Sequence, residues 1–215
     1  MRTTCVTLGS LVLLAGCSGL YQVTPTAGAI GFEGAMTGWR TASTGGDGPH
    51  ATWQRRADDD AVSPPNVLSV TATNHTSESR FNLYWSDQER FRDGVLSVAV
   101  RADDGVVDQG GGPMWRVQDE NNYYVCRFNP LELNYRVYVV ANGVRRQLAT
   151  AIVDVTAGRW HRIEVAHHGD HVVCWLDGRR LLDVHDATIT QPGGVGLWTK
   201  ADARTSFDDF VVSAK

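Results

Sequence analysis

Residues 110–128, GGGPMWRVQDENNYYVCRF, decide the fold. They contain a glycine turn, an alternating segment, a polar corner at residues 119–122 and a second segment dense in aromatics. Short alternating segments joined by tight turns are typical of antiparallel β-strands. The chain continues in this way, and no window keeps the apolar period of an amphipathic helix. We therefore expect an all-β jelly-roll sandwich of two antiparallel sheets, with a closed barrel as the alternative.

Alternation along the second segment divides its side chains between two faces. One face carries Tyr123, Val125, Arg127 and Asn129. The other face carries Tyr124, Cys126 and Phe128, which we expect in the core. Among the side chains of this segment, Arg127 is the one that packing explains least, because arginine is rarely buried. It either binds a ligand or packs its stem on the sheet and pairs its head with a carboxylate.

Length and charge limit the classes of function. The chain has 215 residues, of which 42% are hydrophobic, and this is enough for one β-domain, expected at residues 31–215. The formal charge is -4 and the pI is about 5.9. Because basic residues form no cluster, we expect no nucleic-acid partner. A neutral or weakly charged ligand is favoured.

The amino terminus has the pattern of an export signal. One basic residue precedes an apolar run, and small residues lead to Cys17. Residues 14–17, LAGC, match the lipobox of bacterial lipoproteins, so we expect a signal peptide at residues 1–16 and acylation of Cys17. An ordinary cleaved signal is the alternative. A tether at residues 17–30 then joins the domain to a membrane of the bacterial cell envelope.

Export changes the interpretation of the remaining cysteines, Cys126 and Cys174. Both lie in predicted strands, and an oxidising compartment permits a disulfide between them if the strands are neighbours or face each other across the core. The alternative is two small buried thiols.

Known catalytic patterns are absent from the sequence. The E-x-D-x-x-E pattern of sandwich glycosidases is missing, and Asp119 and Glu120 are adjacent residues that point in opposite directions if extended. Four histidines around residues 167–185 suggest zinc, but a solvated hairpin explains them equally well. Serine nucleophile motifs and phosphate-binding loops are also missing.

Sugar recognition and calcium binding both have candidate residues. Trp198 and Lys200 share one face of a late strand, as in a sugar-stacking platform, although Trp198 also suits the interior. Glu33 and the late aspartates, Asp208 and Asp209, converge if the first and last strands pair. Together with backbone carbonyls of the loop at residues 45–48, they would suit a structural calcium ion.

Two long runs, residues 110–140 and 158–212, resemble a known family. They contain an R-x-Q-D-x-N-N-Y-Y-x-x-R core, a W-H strand start, an L-D-G hairpin and final G-L-W-T-K-A-D and F-D-D signatures. The chain from residue 31 onward resembles the concanavalin A-like domains known as 3-keto-disaccharide hydrolases, also described as laminin-G-like or family 16 glycoside hydrolase-like. The resemblance implies two curved sheets with a carbohydrate-binding concave face.

The resemblance also implies a set of site residues. The motif positions are Arg116, Asn122, Tyr123, Arg127, Asn129, Asn134, Trp198, Lys200 and Asp202. Similarity to glucanases suggests calcium at Asp208 or Asp209, while the paired glucanase carboxylates are absent.

Three hypotheses about function follow. The first is an exported, lipid-anchored domain that binds carbohydrate through Arg116, Tyr123, Arg127, Asn129, Asn134, Trp198 and Lys200. The second is a hydrolase of 3-keto-disaccharides or other glycosides that uses Asp119, Glu120 or Asp202. The third is a structural or interaction module of the cell envelope.

Overall fold

The computed structural model describes residues 29–30, 32–73 and 77–215. The expected signal peptide, Cys17 and most of the expected tether lie outside the described residues. The described residues form β-strands and turns without a helix, so none of their segments is a helix that could span a membrane.

Fifteen strands make up the described part of the chain. They are β1 (Ala29–Ile30), β2 (Trp39–Thr44), β3 (Thr52–Ala57), β4 (Asn66–Ala72), β5 (Phe81–Phe91), β6 (Gly94–Asp104), β7 (Gly112–Asp119), β8 (Asn122–Asn129), β9 (Asn134–Ala141), β10 (Val144–Ile152), β11 (Trp160–His168), β12 (His171–Leu176), β13 (Arg179–His185), β14 (Gly193–Lys200) and β15 (Arg204–Ala214).

The strands form two antiparallel sheets, which confirms the predicted sandwich. The eight-stranded sheet has the order β13-β12-β11-β6-β15-β4-β3, and β1 also pairs with β15. The seven-stranded sheet has the order β10-β9-β8-β7-β14-β5-β2. The first and last strands therefore do pair, and β1 lies at the end of the range expected to be a tether.

The main core lies between the sheets and confirms the predicted register of β8. Tyr124, Cys126 and Phe128 are buried in it. They pack in one cluster with apolar residues of the eight-stranded sheet, including Val98 and Ile163. The other face of β8 lies on the opposite side of the seven-stranded sheet, where Tyr123 pairs with Val140 of β9.

That opposite side is strongly concave. The guanidinium carbon of Arg145 in β10 lies 5.0 Å from the ring centre of Phe81 in β5, although four strands separate β10 from β5. On a flat sheet five strand spacings amount to about 24 Å, too far for these side chains to meet. The sheet therefore curls, and a second apolar cluster that includes Phe81, Met114 and Trp198 fills the middle of its concave face.

Cys126 and Cys174 meet across the main core as free thiols, so the alternative of two buried thiols describes them and the disulfide is not formed. Burial raises the pKa of the Cys174 thiol. Because the thiolate is the reactive form, both cysteines act here as small apolar core residues.

Candidate functional site

The middle of the concave face is closed by its own side chains. Trp198 Nε1 donates a hydrogen bond to the Tyr123 hydroxyl over 3.1 Å, and neither side chain exceeds 1% exposure. Burial also raises the pKa of Tyr123. Neither ring therefore presents a flat surface to solvent, and the stacking role expected of Tyr123 and Trp198 is not available in this arrangement.

Arg145 of β10 covers these rings. Its guanidinium carbon lies 4.5 Å from the ring centre of Tyr138, 5.0 Å from that of Phe81 and 5.8 Å from that of Trp198. A cation near aromatic faces is stabilised by their negative electrostatic potential. Arg145 itself is partly exposed, so it forms the outermost layer over the rings.

A polar cluster occupies the end of the concave face beside these rings, where β8 and β14 end and β9 begins. It consists of Asp108, Arg127, Asn129, Glu132, Asn134, Arg136 and Lys200. Pairing of β8 with β9 places Arg127 opposite Arg136 and Asn129 opposite Asn134. The structure thus brings together four residues of the expected site: Arg127, Asn129, Asn134 and Lys200.

Asp108 is the centre of the cluster and was not predicted. It lies in the loop between β6 and β7, and its carboxylate accepts hydrogen bonds from Lys200 Nζ over 2.8 Å and Asn129 Nδ2 over 3.1 Å. Burial raises the pKa of Asp108 even though Arg127 and Lys200 act in the opposite direction. Strand alternation gives no signal for a loop residue, so the sequence pattern could not identify it.

Asp202 holds the loop that carries Asp108. Its carboxylate accepts hydrogen bonds from the backbone N–H groups of Val106, Val107 and Asp108 over 2.8 to 3.0 Å. Burial raises the pKa of Asp202, but these hydrogen bonds outweigh burial and the pKa lies below its ordinary value. Since backbone donors surround its carboxylate, Asp202 positions the loop and is poorly placed for the catalytic role expected of it.

Arg127 and Glu132 form the other half of the cluster. Glu132 Oε2 accepts hydrogen bonds from Arg127 Nη2, Asn134 Nδ2 and Arg136 Nη1. Arg127 is only 1% exposed, and its Nε and Nη1 atoms find no hydrogen-bond acceptor among the described residues. Because a buried, unpaired donor costs free energy, this guanidinium is unusual as a purely structural group.

Comparison with known families identifies the domain. The family model described as 3-keto-alpha-glucoside-1,2-lyase-like domain matches residues 31–213. The chain belongs to this family. A comparison with curated proteins found no match.

Solved structures similar to this 3-keto-alpha-glucoside-1,2-lyase-like domain share its fold. Carbohydrate binding module CBM66 from Bacillus subtilis is 19% identical over 81% of this chain and 94% of that chain, with a TM-score of 0.64. A lichenase derived from a mouse hindgut metagenome is 12% identical over 84% of this chain and 95% of that chain, with a TM-score of 0.57. A protein from Bacillus subtilis with a galectin-like fold is 12% identical over 80% of this chain and 87% of that chain, with a TM-score of 0.55. The domain is thus a concanavalin A-like jelly roll.

Arg116 of the 3-keto-alpha-glucoside-1,2-lyase-like domain lies apart from the polar cluster, contrary to expectation. It has a positive φ of 48° in an irregular stretch of β7, so its side chain leaves the strict alternation. Its guanidinium donates hydrogen bonds to the carbonyls of Arg92, Gly169 and Ile189 over 2.7 to 2.8 Å. With 1% exposure, it ties three loops together at one end of the sandwich.

Asp119, Glu120 and Asn122 also lie away from the cluster. They lie where β7 ends and β8 begins, and Asp119 accepts hydrogen bonds from Asn121 N and Asn122 Nδ2. Asn129 is at the other end of β8, and this length of strand spans about 23 Å. The carboxylates of this turn therefore cannot act on the same sugar ring as Asn129 and Lys200.

Each acidic residue expected to bind calcium has a protein partner in the structure. Glu33 accepts hydrogen bonds from Asn66, Asp208 accepts one from Ser63 N, and Asp209 pairs with Arg162. Arg80 donates to the carbonyls of Gly46 and Gly48, which were expected to face the ion. Across residues 29–30, 32–73 and 77–215 no group of three or more acidic, histidine or cysteine residues could hold a metal, including the histidines near residues 167–185.

Proposed function

We propose that this domain binds a carbohydrate at the polar cluster on the end of its concave face. The observation that carries the proposal is Arg127, a buried guanidinium whose Nε and Nη1 atoms have no acceptor among the described residues. A ligand oxygen at this position would satisfy those donors. Lys200, Glu132 and Arg136 retain part of their exposure, so the cluster is open to solvent on their side.

The chemistry of the cluster suits a hydroxyl-rich ligand. Sugar hydroxyls both donate and accept hydrogen bonds, and the cluster offers donors on Arg127 and Lys200 beside acceptors on Asp108 and Glu132. Membership of a family named for action on a glucoside supports this proposal. So does the fold shared with a carbohydrate binding module and a lichenase.

Replacing Arg127 with methionine tests the binding site. We expect affinity for the best ligand found on a glycan array to fall about tenfold or more, because charge-assisted hydrogen bonds are lost. We expect a smaller loss of stability than for a fully paired buried arginine, because two of the Arg127 donors have no acceptor among the described residues. Isothermal titration calorimetry and urea unfolding measure the two effects.

The matched control is Arg146→Met, which removes an exposed arginine paired with Asp186 on the other side of β10. Unchanged affinity in Arg127→Met, or a large loss of stability with no loss of affinity, would contradict the proposal.

A second candidate function is catalysis at the same cluster. A carbonyl at C3 of a glycoside acidifies the hydrogen at C2, so a base that removes this proton can release the C1 substituent as an alcohol and leave a C1=C2 double bond. Burial raises the pKa of Asp108, which makes it a stronger base, and its contact with partly exposed Lys200 places it beside the open side of the cluster.

The enzyme hypothesis predicts that Asp108→Asn lowers kcat for a 3-keto-glucoside, measured at saturating substrate, by about 100-fold or more. Release of the alcohol can be followed by chromatography, with Asp104→Asn, at the exposed end of β6, as the control. A wild-type protein that binds the glycoside without releasing alcohol would exclude this second function.

We also propose, from the pattern of residues 1–17, that the protein is exported and anchored to a membrane of the cell envelope through acylated Cys17. Mass spectrometry of the mature amino terminus would find two or three acyl chains on Cys17. An unmodified amino terminus would exclude the anchor.

A further inference from the structure

We propose that the ligand of the polar cluster is an acidic sugar, with its carboxylate bound between the guanidinium groups of Arg127 and Arg145. This inference rests on the proposed carbohydrate site and adds the chemical class of the ligand. It is carried by the balance of charge at the site and by the unpaired donors of the two arginines.

The site is positively charged although the whole chain is acidic. The polar cluster and Arg145 together hold four cationic side chains, Arg127, Arg136, Arg145 and Lys200, and only two carboxylates, Asp108 and Glu132. The formal charge of the full sequence is -4. A local excess of cations in a partly buried site attracts anions much more strongly than the same charges on an open surface.

The two arginine heads belong to one electrostatic unit. Burial lowers the pKa of Arg145, and the positive charge of Arg127 lowers it further, while Asp108 acts in the opposite direction. Arg127 and Lys200 likewise stabilise the charged form of Asp108. The guanidinium carbons of Arg127 and Arg145 lie 6.0 Å and 4.5 Å from the ring centre of Tyr138, so both arginines lie at the same end of the concave face. An anion between the two guanidinium groups would relieve their repulsion.

Unpaired donors point to the same ligand. Arg127 Nε, Arg127 Nη1 and Arg145 Nη1 are buried and have no acceptor within the described part of the chain. Guanidinium groups match the planar geometry of a carboxylate and bind its two oxygens through parallel hydrogen bonds. A neutral hydroxyl could accept from these donors, but it would leave the excess positive charge uncompensated.

Arg145 also has the freedom to adjust to a ligand. Its head is held by ring faces instead of a carboxylate, and the side chain is partly exposed. Cation–π contacts at a partly exposed site are weak compared with a buried ion pair. The guanidinium can therefore turn toward an arriving carboxylate at small cost, while its stem continues to cover the rings.

Calorimetry with matched sugars tests the inference. The probes are two disaccharides that end in glucuronate or galacturonate, their counterparts that end in glucose or galactose, and the methyl esters of the two acids. We expect at least one acid to bind about tenfold or more tighter than both its neutral counterpart and its ester. The advantage should shrink as NaCl rises from about 50 to 500 mM, because salt screens charge attraction.

The Arg145→Gln variant should lose most of the preference for the acid over its ester and its neutral counterpart. The neighbouring variant Arg146→Gln, on the opposite face of β10, should keep that preference. Equal affinity of acids, esters and neutral sugars for the wild-type protein would overturn the acidic-sugar inference alone. Absence of binding to every probe, and to a wider glycan array, would overturn the carbohydrate site and this inference with it.

Discussion

Replacement of Arg116 with methionine is expected to lower the free energy of unfolding by about 3–4 kcal/mol. The variant loses three hydrogen bonds from a charged donor to carbonyls and a longer ion pair with Asp93, and each of the three bonds contributes about 1–1.5 kcal/mol or more. It also leaves the buried carbonyl of Ile189 without that donor. Urea unfolding followed by tryptophan fluorescence measures the loss. Affinity for the sugar ligand is expected to change little, because Arg116 lies apart from the polar cluster.

Two further variants make this result specific. Arg116→Lys should recover only a small part of the stability, because one ammonium group cannot reach the carbonyls of three different loops. Arg179→Met, at the exposed start of β13, should change stability by less than about 0.5 kcal/mol. If Arg116→Met were as stable as the wild type and bound sugar poorly, Arg116 would have to be assigned to the ligand site.

Replacement of Asp202 with asparagine is expected to lower both stability and ligand affinity. The variant keeps one acceptor oxygen and places an NH₂ group against backbone N–H donors, so the loop at residues 105–108 loses its anchor. We expect a loss of about 2–4 kcal/mol in the free energy of unfolding. We also expect affinity to fall at least tenfold, because Asp108 no longer holds Lys200 and Asn129 in place.

The contribution of Asp202 to the stability of the fold should depend on pH. Its pKa is lower in the folded protein than its ordinary value of 3.8, so its ionised form stabilises the fold above that value. This contribution is lost as the pH falls through the lowered pKa. The difference in stability between wild type and Asp202→Asn should therefore be largest near neutral pH and shrink below about pH 4. A difference that stays constant down to pH 2 would contradict this role. Asp104→Asn is the matched control, since Asp104 is exposed beside the same loop.

Strand alternation predicted the architecture and the two faces of β8 because its physical basis is local. A side chain two positions away along a regular strand returns to the same face, so Tyr124 and Phe128 could be assigned to the core from the sequence alone. The same argument grouped Arg127 with Asn129. The family motif added Asn134, which pairs with Asn129 across the β8–β9 hairpin.

Alternation gave wrong or missing assignments where the backbone is irregular. It also failed where the position of a side chain depends on residues far away in the chain. The positive φ of Arg116 breaks the register of β7, and its side chain therefore lies away from the expected cleft. The burial of Trp198 depends on the curl of a seven-stranded sheet, which no short segment encodes. Asp108 lies in a loop, where its position depends on Asp202, more than ninety residues later in the chain. The sequence-wide charge likewise gave no sign of the local cationic excess.

Arg145 belongs to β10, which is the terminal strand of the seven-stranded sheet and pairs only with β9. Terminal strands detach at lower free energy than central ones, so their amide hydrogens exchange with solvent more often. The group that covers the rings therefore rests on a labile strand, while β7, β8 and β14 hold the rest of the site in the sheet interior. We therefore expect the amide hydrogens of β10 to exchange with solvent faster than those of β7, β8 and β14, which hydrogen–deuterium exchange measures.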